Sequence, residues 1–166
     1  MLVNQINKFY ILLFFSFAFF LFSCQTVDLY EKNVSIPKHE WQSSFKPQFK
    51  FTIKDTTVPY NIFIVLRHNE KYNYNNIWLS LSTQNPGDSV QKVQYELPLA
   101  NAGKGWLSTA SAMDDLYEHR ILITPRDQDF YFKKAGEYIF TIEQIMREDP
   151  LENVLNVGLR IEKKPQ

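Results

Sequence analysis

From residue 49 onward the chain alternates apolar and polar side chains with a period of two, the pattern of strands that bury one face of a pleat. Phe49, Phe51 and Ile53 alternate with Lys50, Thr52 and Lys54, and residues 55–59 turn the chain. Residues 61–67 (Asn-Ile-Phe-Ile-Val-Leu-Arg) are apolar on both faces, which predicts a central strand. A polar loop rich in Asn and Tyr follows at 68–76. Residues 77–83 form a third strand with Trp78 facing away from Ile77, Leu79 and Leu81. Asn85-Pro86-Gly87-Asp88 is a hairpin turn, because proline presets φ and glycine accepts a positive one. In the next strand, 90–99, Val93, Tyr95, Leu97 and Leu99 share a face. A long connection at 100–117 carries Gly103-Lys104-Gly105-Trp106, and further strands are predicted at 118–124, 137–145 and 156–163. Residues 111–117 and 146–155 have room for a helical turn, but no amphipathic helix is present. Seven to eight short strands separated by turns predict an all-β domain: a single antiparallel β-sandwich, jelly-roll or Ig-like.

The first residues follow a different pattern. Residues 1–8 are polar with one positive charge, Lys8, and residues 9–22 are apolar except for Ser16. Such a run is too short to span a bilayer, which takes about 20 residues, and has the length of a signal-peptide core. Leu21-Phe22-Ser23-Cys24 follows at its edge and resembles the bacterial lipobox, with a small residue directly before the cysteine. The expected division is a lipoprotein signal peptide at 1–23, a lipidated tether at 24–48 containing Pro37 and Pro47, and a sandwich at 49–166. Cys24 would then be the mature N-terminus, with acyl chains (palmitate among them) on its sulfur and amine. Each buried methylene contributes about 0.8 kcal/mol of membrane affinity, so two or three chains hold firmly. The alternative is an uncleaved anchor with an incidental cysteine. Gln25 stands where an aspartate would hint at inner-membrane retention, and Asp28 and Glu31 are dispersed. The expected location is the outer membrane, facing the periplasm.

Charge and composition narrow the function classes. Eighteen basic and eighteen acidic residues leave no net field, and no basic run exceeds two residues, which argues against a nucleic-acid partner. Cys24 is the single cysteine, so an intramolecular disulfide is excluded and an aromatic-rich core, with 14 Phe and 9 Tyr, must hold the domain.

Candidate chemistry is sparse. His39, His68 and His119 stand at no metal-ligand spacing, so neither a metal nor another cofactor is expected. No Gly-x-Ser-x-Gly elbow is present, Ser108 and Ser111 lie in an ordinary loop, and Gly103-Lys104-Gly105 is too short to cradle a phosphate. Glu96 and Glu143 can be nominated as a carboxylate pair, as can many acids in any β-protein. Glu143, Arg147, Arg160 and Glu162 cluster around the last two strands, as a charged contact surface or as an ion-paired sheet edge. Tyr72 and Tyr74 share a face of the loop 68–78, which reads as a sugar-stacking platform or as structural filling. Trp41, Trp78 and Trp106 read as core or rim. Candidate partner contacts are Tyr72, Tyr74, Trp106, Arg147 and Arg160; no catalytic residue is assigned.

Several stretches carry a resemblance. Ile36-Pro37-Lys38-His39-Glu40-Trp41 follows the lipobox cysteine; residues 51–67, from Phe51-Thr52-Ile53-Lys54-Asp55 to Ile64-Val65-Leu66-Arg67, come next. Tyr95-Glu96-Leu97-Pro98-Leu99-Ala100 and Gly105-Trp106-Leu107 continue the order. Residues 136–147, opening Gly136-Glu137-Tyr138-Ile139-Phe140, and 156–163, opening Asn156-Val157-Gly158-Leu159-Arg160, complete it. In this order they resemble the gliding-motility lipoprotein GldH family of the Bacteroidetes, over essentially the whole mature chain. Residues 108–115 depart, offering fewer glycines than the family pattern. The resemblance implies envelope partners in gliding and, through shared machinery, in type IX protein secretion. It implies no catalytic activity.

Overall fold

The computed structural model describes residues 29–108 and 115–165. Two four-stranded antiparallel sheets face each other. The first holds β1 (Leu29–Ser35), β12 (Val154–Lys163), β4 (Tyr60–Asn69) and β9 (Leu116–Leu122), in that order. The second holds β3 (Gln48–Ile53), β10 (Gly136–Gln144), β5 (Asn76–Gln84) and β6 (Gln91–Pro98). Two-residue strands make two small ribbons: β2 (Glu40–Trp41) with β11 (Leu151–Glu152), and β7 (Ala100–Asn101) with β8 (Gly105–Trp106).

Among the eight long strands, the first pairs with the eighth, the second with the seventh, the third with the sixth and the fourth with the fifth. This is one long hairpin folded over on itself, a jelly roll. The expected all-β sandwich is therefore what forms, and its topology is the jelly-roll alternative rather than the Ig-like one.

Period-two patterning sets the faces. Along β3, Phe49, Phe51 and Ile53 point inward and their neighbours are exposed. Ile62, Ile64 and Leu66 of β4 meet Ile77, Leu79 and Leu81 of β5 and Tyr138, Phe140 and Ile142 of β10 in one core. At one end Phe51 stacks on Tyr138 at 5.6 Å and meets Phe140 edge-on at 5.1 Å, arrangements that add to plain burial. Trp41 is fully buried, Trp106 is half-buried and Trp78 is exposed on the outer face, opposite its neighbours as the alternation predicts.

Two expectations need correction. Residues 24–48 were expected to be an irregular tether. From Leu29 onward this stretch instead pairs over seven residues with β12, then makes a short 3-10 turn at Pro37–His39 and buries Ile36 and Trp41. The signal was diluted because β1 is an edge strand whose inward positions are Tyr30, Lys32 and Val34, a polar residue between two apolar ones. Residues 146–155, with room for a helical turn, carry β11 and a cis Asp149–Pro150 bond. Residues 109–114 lie outside the described residues, as do 1–28 with Cys24 and the proposed cleavage site.

The register assigns the loops to two ends. The entry end holds the start of β1, the connections 54–59, 85–90 and 123–135, and the residues after β12. The far end holds connections 36–47, 70–75, 99–115 and 145–153. Because β1 supplies the outer rung over β12, a chain starting at Ile36 loses the burial of Tyr30 and Val34, about 2–3 kcal/mol. Thermal denaturation should show it melting roughly 10 °C below a chain starting at Leu29.

Candidate functional site

Two inward-facing histidines from neighbouring strands meet at the far end. His68 closes the inner row of β4, and His119 lies on β9, whose register sets it opposite Leu66, one inward position away. Their Nε2 atoms are 2.9 Å apart and both rings are fully buried. The other nitrogen of His68, Nδ1, lies 2.7 Å from the Asn69 carbonyl oxygen, so it donates. A neutral His68 then accepts at Nε2 from the Nε2–H of His119. That leaves His119 Nδ1 as a buried acceptor with no donor against it. Burial pushes the His119 imidazole down to about 4, and the neighbouring His68 pushes it the same way. Burial lowers His68 too, opposed by the Asn69 carbonyl.

Aromatic rings enclose this pair. Trp106 lies 4.4 Å from His68, Tyr72 at 5.0 Å and Tyr117 at 5.4 Å, centroid to centroid. Tyr72 is buried, its hydroxyl donates to the Asn76 carbonyl, and burial raises its phenol. Tyr74 meets Tyr72 edge-on and donates to Glu148 at 3.0 Å; the Glu148 carboxylate raises its phenol. Tyr72, Tyr74 and Trp106 are thus brought together, with exposed Arg147 on the neighbouring 145–153 connection at the same end. The histidine pair at their centre was missed. Their 51-residue separation hides it, and only the inward phase of each strand pointed to it.

The loop 68–78 is therefore built as a packed hub. Tyr72, with 3% of its surface exposed, offers no open face for a sugar ring to stack on.

The charged residues around the last two strands do not form one surface. β10 and β12 belong to different sheets, so Glu143 points out from one face of the sandwich and Arg160 with Glu162 from the other. Arg160 bridges Glu31 at 2.6 Å and Glu162 at 2.7 Å, tying β12 to β1. Lys46 and Lys92 flank Glu143 at 2.8 and 3.0 Å and hold its carboxyl below the usual range. Glu96 accepts instead from Asn76 at 2.6 Å. On the outer face of the first sheet, burial alone would raise the Glu118 carboxyl, but the Arg67 and Arg120 guanidiniums bring it below its ordinary value. Ser108 Oγ donates to the Glu118 carbonyl at 2.9 Å, fastening the loop to β9. Among the described residues no cluster of three His, Cys, Asp or Glu is placed to hold a metal, and no helix is long and apolar enough to cross a membrane.

Comparison with known proteins adds the family. The family model for the GldH lipoprotein matches residues 28–161. A gliding motility lipoprotein GldH homolog from Christiangramia forsetii is 29% identical over 157 residues, covering 90% of this chain and 93% of that protein. Gliding motility lipoprotein GldH from Flavobacterium johnsoniae is 28% identical over 154 residues, covering 89% and 92%. Among solved structures, a carbohydrate-binding module specific for non-crystalline cellulose aligns with 80% of this chain and 70% of its own, at 13% identity and a TM-score of 0.40. The chain belongs to the GldH lipoprotein family.

Both imidazoles titrate lower in the fold than in the unfolded chain, so unfolding takes up protons between roughly pH 4 and 6.5. Stability should be full above about pH 6.5 and fall by an order of 2–3 kcal/mol towards pH 4.5. Urea denaturation across that range should show the slope, and H119Q should flatten it.

Proposed function

We propose that this member of the GldH lipoprotein family is held at the outer membrane through lipidated Cys24, faces the periplasm, and acts as a non-catalytic assembly component of the gliding apparatus and the linked type IX secretion machinery. Membership of a family named for a gliding motility lipoprotein carries this reading. The site geometry supports the non-catalytic part. The histidine pair is enclosed by aromatic rings, and the nominated carboxylates are engaged with lysines or an asparagine. A general acid or base has to reach a substrate proton, which the enclosed imidazoles are not placed to do.

The anchor and the domain fit one another. Leu29, where β1 is already zipped onto β12, is five Cα–Cα steps from Cys24. At about 3.5 Å per residue this allows at most about 18 Å of chain. The domain would therefore stand close to the membrane on its entry end and present the far end to partners. Tyr74, Trp106 and Arg147 belong to that far surface; Arg160 is committed to β1. The glycan-binding alternative relied on Tyr72 as an open stacking face, and burial of that ring weakens it.

The test is deletion of the gene in its host, complemented with wild type or Cys24→Ala. Colony spreading and the secreted-protein profile should both be lost, restored by wild type and poorly restored by C24A. Normal spreading and secretion in the deletion would detach the chain from this process.

A further inference from the structure

The jelly roll is not sealed along one side. β6 and β9 are the outer strands of their sheets on the same side of the sandwich, and between them a cleft of about 600 Å³ reaches into the core. Its lining comes from both inner faces, Ile62 from one sheet and Leu81, Tyr138 and Phe140 from the other, with Ile123 and Phe132 from the 123–135 connection. Val93 lies on the inward row of β6 with Tyr95 and Leu97, yet 49% of its surface is exposed. An inward-facing valine in that state marks a stretch of sheet that the opposite sheet leaves uncovered. The rim is polar, with Asn85, Gln91, Lys133 and Lys134, and the exposed ring of Tyr131 stands at the mouth. An apolar floor with a few polar groups at the opening is the form of a small-molecule site, and the volume falls in the usual range.

We infer that this cleft takes one acyl chain of an anionic membrane glycerophospholipid, with the headgroup phosphate at Lys133 and Lys134. The inference rests on the lipid-anchor reading. Connections 85–90 and 123–135, which frame the mouth, belong to the entry end, as does Leu29. Cys24, no more than about 18 Å of chain before Leu29, would bring that end to the bilayer surface. In its loops and tail the same end carries Lys54, Arg126, Lys133, Lys134 and Lys164, against Asp55, Asp88, Asp127 and Asp129. That excess is of the sign attracted by anionic headgroups. Lys134 pairs with Asp88 at 2.6 Å across the rim, so Lys133 supplies the uncompensated charge there. Tyr131 provides an amphipathic ring suited to the headgroup region. A straight hydrocarbon chain matches a floor of isoleucine, leucine and aromatic rings with no buried charge.

The full chain, reconstituted into vesicles of phosphatidylglycerol and phosphatidylethanolamine, tests this when the phosphatidylglycerol carries a photoreactive diazirine near the end of one acyl chain. Flotation first reports anchoring by itself. Labelling of floated protein should concentrate in peptides containing residues 91–95 and 123–134. V93E, and separately V93W to fill the opening, should each lower that labelling at least fivefold with an unchanged melting temperature, while K71E at the far end leaves it alone. Should the chain fail to float, the anchor reading fails; monoacyl phosphatidylglycerol with the same diazirine, added below micelle formation, then tests the cleft in solution. Labelling spread evenly over the surface, or confined to peptides around β1, or insensitive to both Val93 variants, would overturn the inference.

Discussion

The antiparallel ladder between β1 and β12, seven residues long, closes the outermost turn of a nested hairpin. This outer pair joins the first strand of the domain to its last, and the short β2–β11 ribbon adds to it. Backbone hydrogen bonds along a ladder contribute modestly one by one, but they act in register with the burial of Tyr30, Val34 and Ile36 beneath them. The Glu31–Arg160–Glu162 group on the outer face crosses the same two strands. Gly158 opposite Asn33 lets them pack closely, since a Cβ there would meet the Asn33 side chain at 2.0 Å. Without this ladder the first strand would be the tether that its composition suggests.

Zipping the first strand to the last fixes the direction of the whole domain. Were Cys24 anchored as proposed, at most about 18 Å of chain would separate it from Leu29, keeping the entry end near the membrane. The two ends then differ in chemistry. The far end is a hub in which two imidazoles, three tyrosines and a tryptophan pack against one another. The entry end is unsealed, with a cleft that reaches the core between β6 and β9 and Lys133 and Lys134 on its rim.

How much of this the sequence announced depended on the strand. β3 and β10 alternate cleanly between buried and exposed positions, and their faces could be read residue by residue. The Asn85–Asp88 turn lies where proline and glycine placed it, with Gly87 at φ +76. β1 was illegible because Lys32 interrupts its inward row and its stability comes from pairing with residues more than 120 positions away. The histidine hub was illegible for the same reason, since inward phase can be read along a strand while contact between strands requires the register. Arg160 and Glu143 seemed neighbours because sequence order does not reveal that β10 and β12 lie in different sheets.

With Cys24 anchored as proposed, the β1–β12 ladder would turn the entry end to the membrane. Fluorophores placed singly at positions 54 and 71, on the lipidated chain in vesicles containing headgroup-quencher lipids, measure this directly. β4 spans ten residues, about 30 Å, between the two ends, so the labels should differ clearly in depth. Strong quenching at 54 with little at 71 is the predicted result. Equal quenching at both positions, or stronger quenching at 71, would contradict the account.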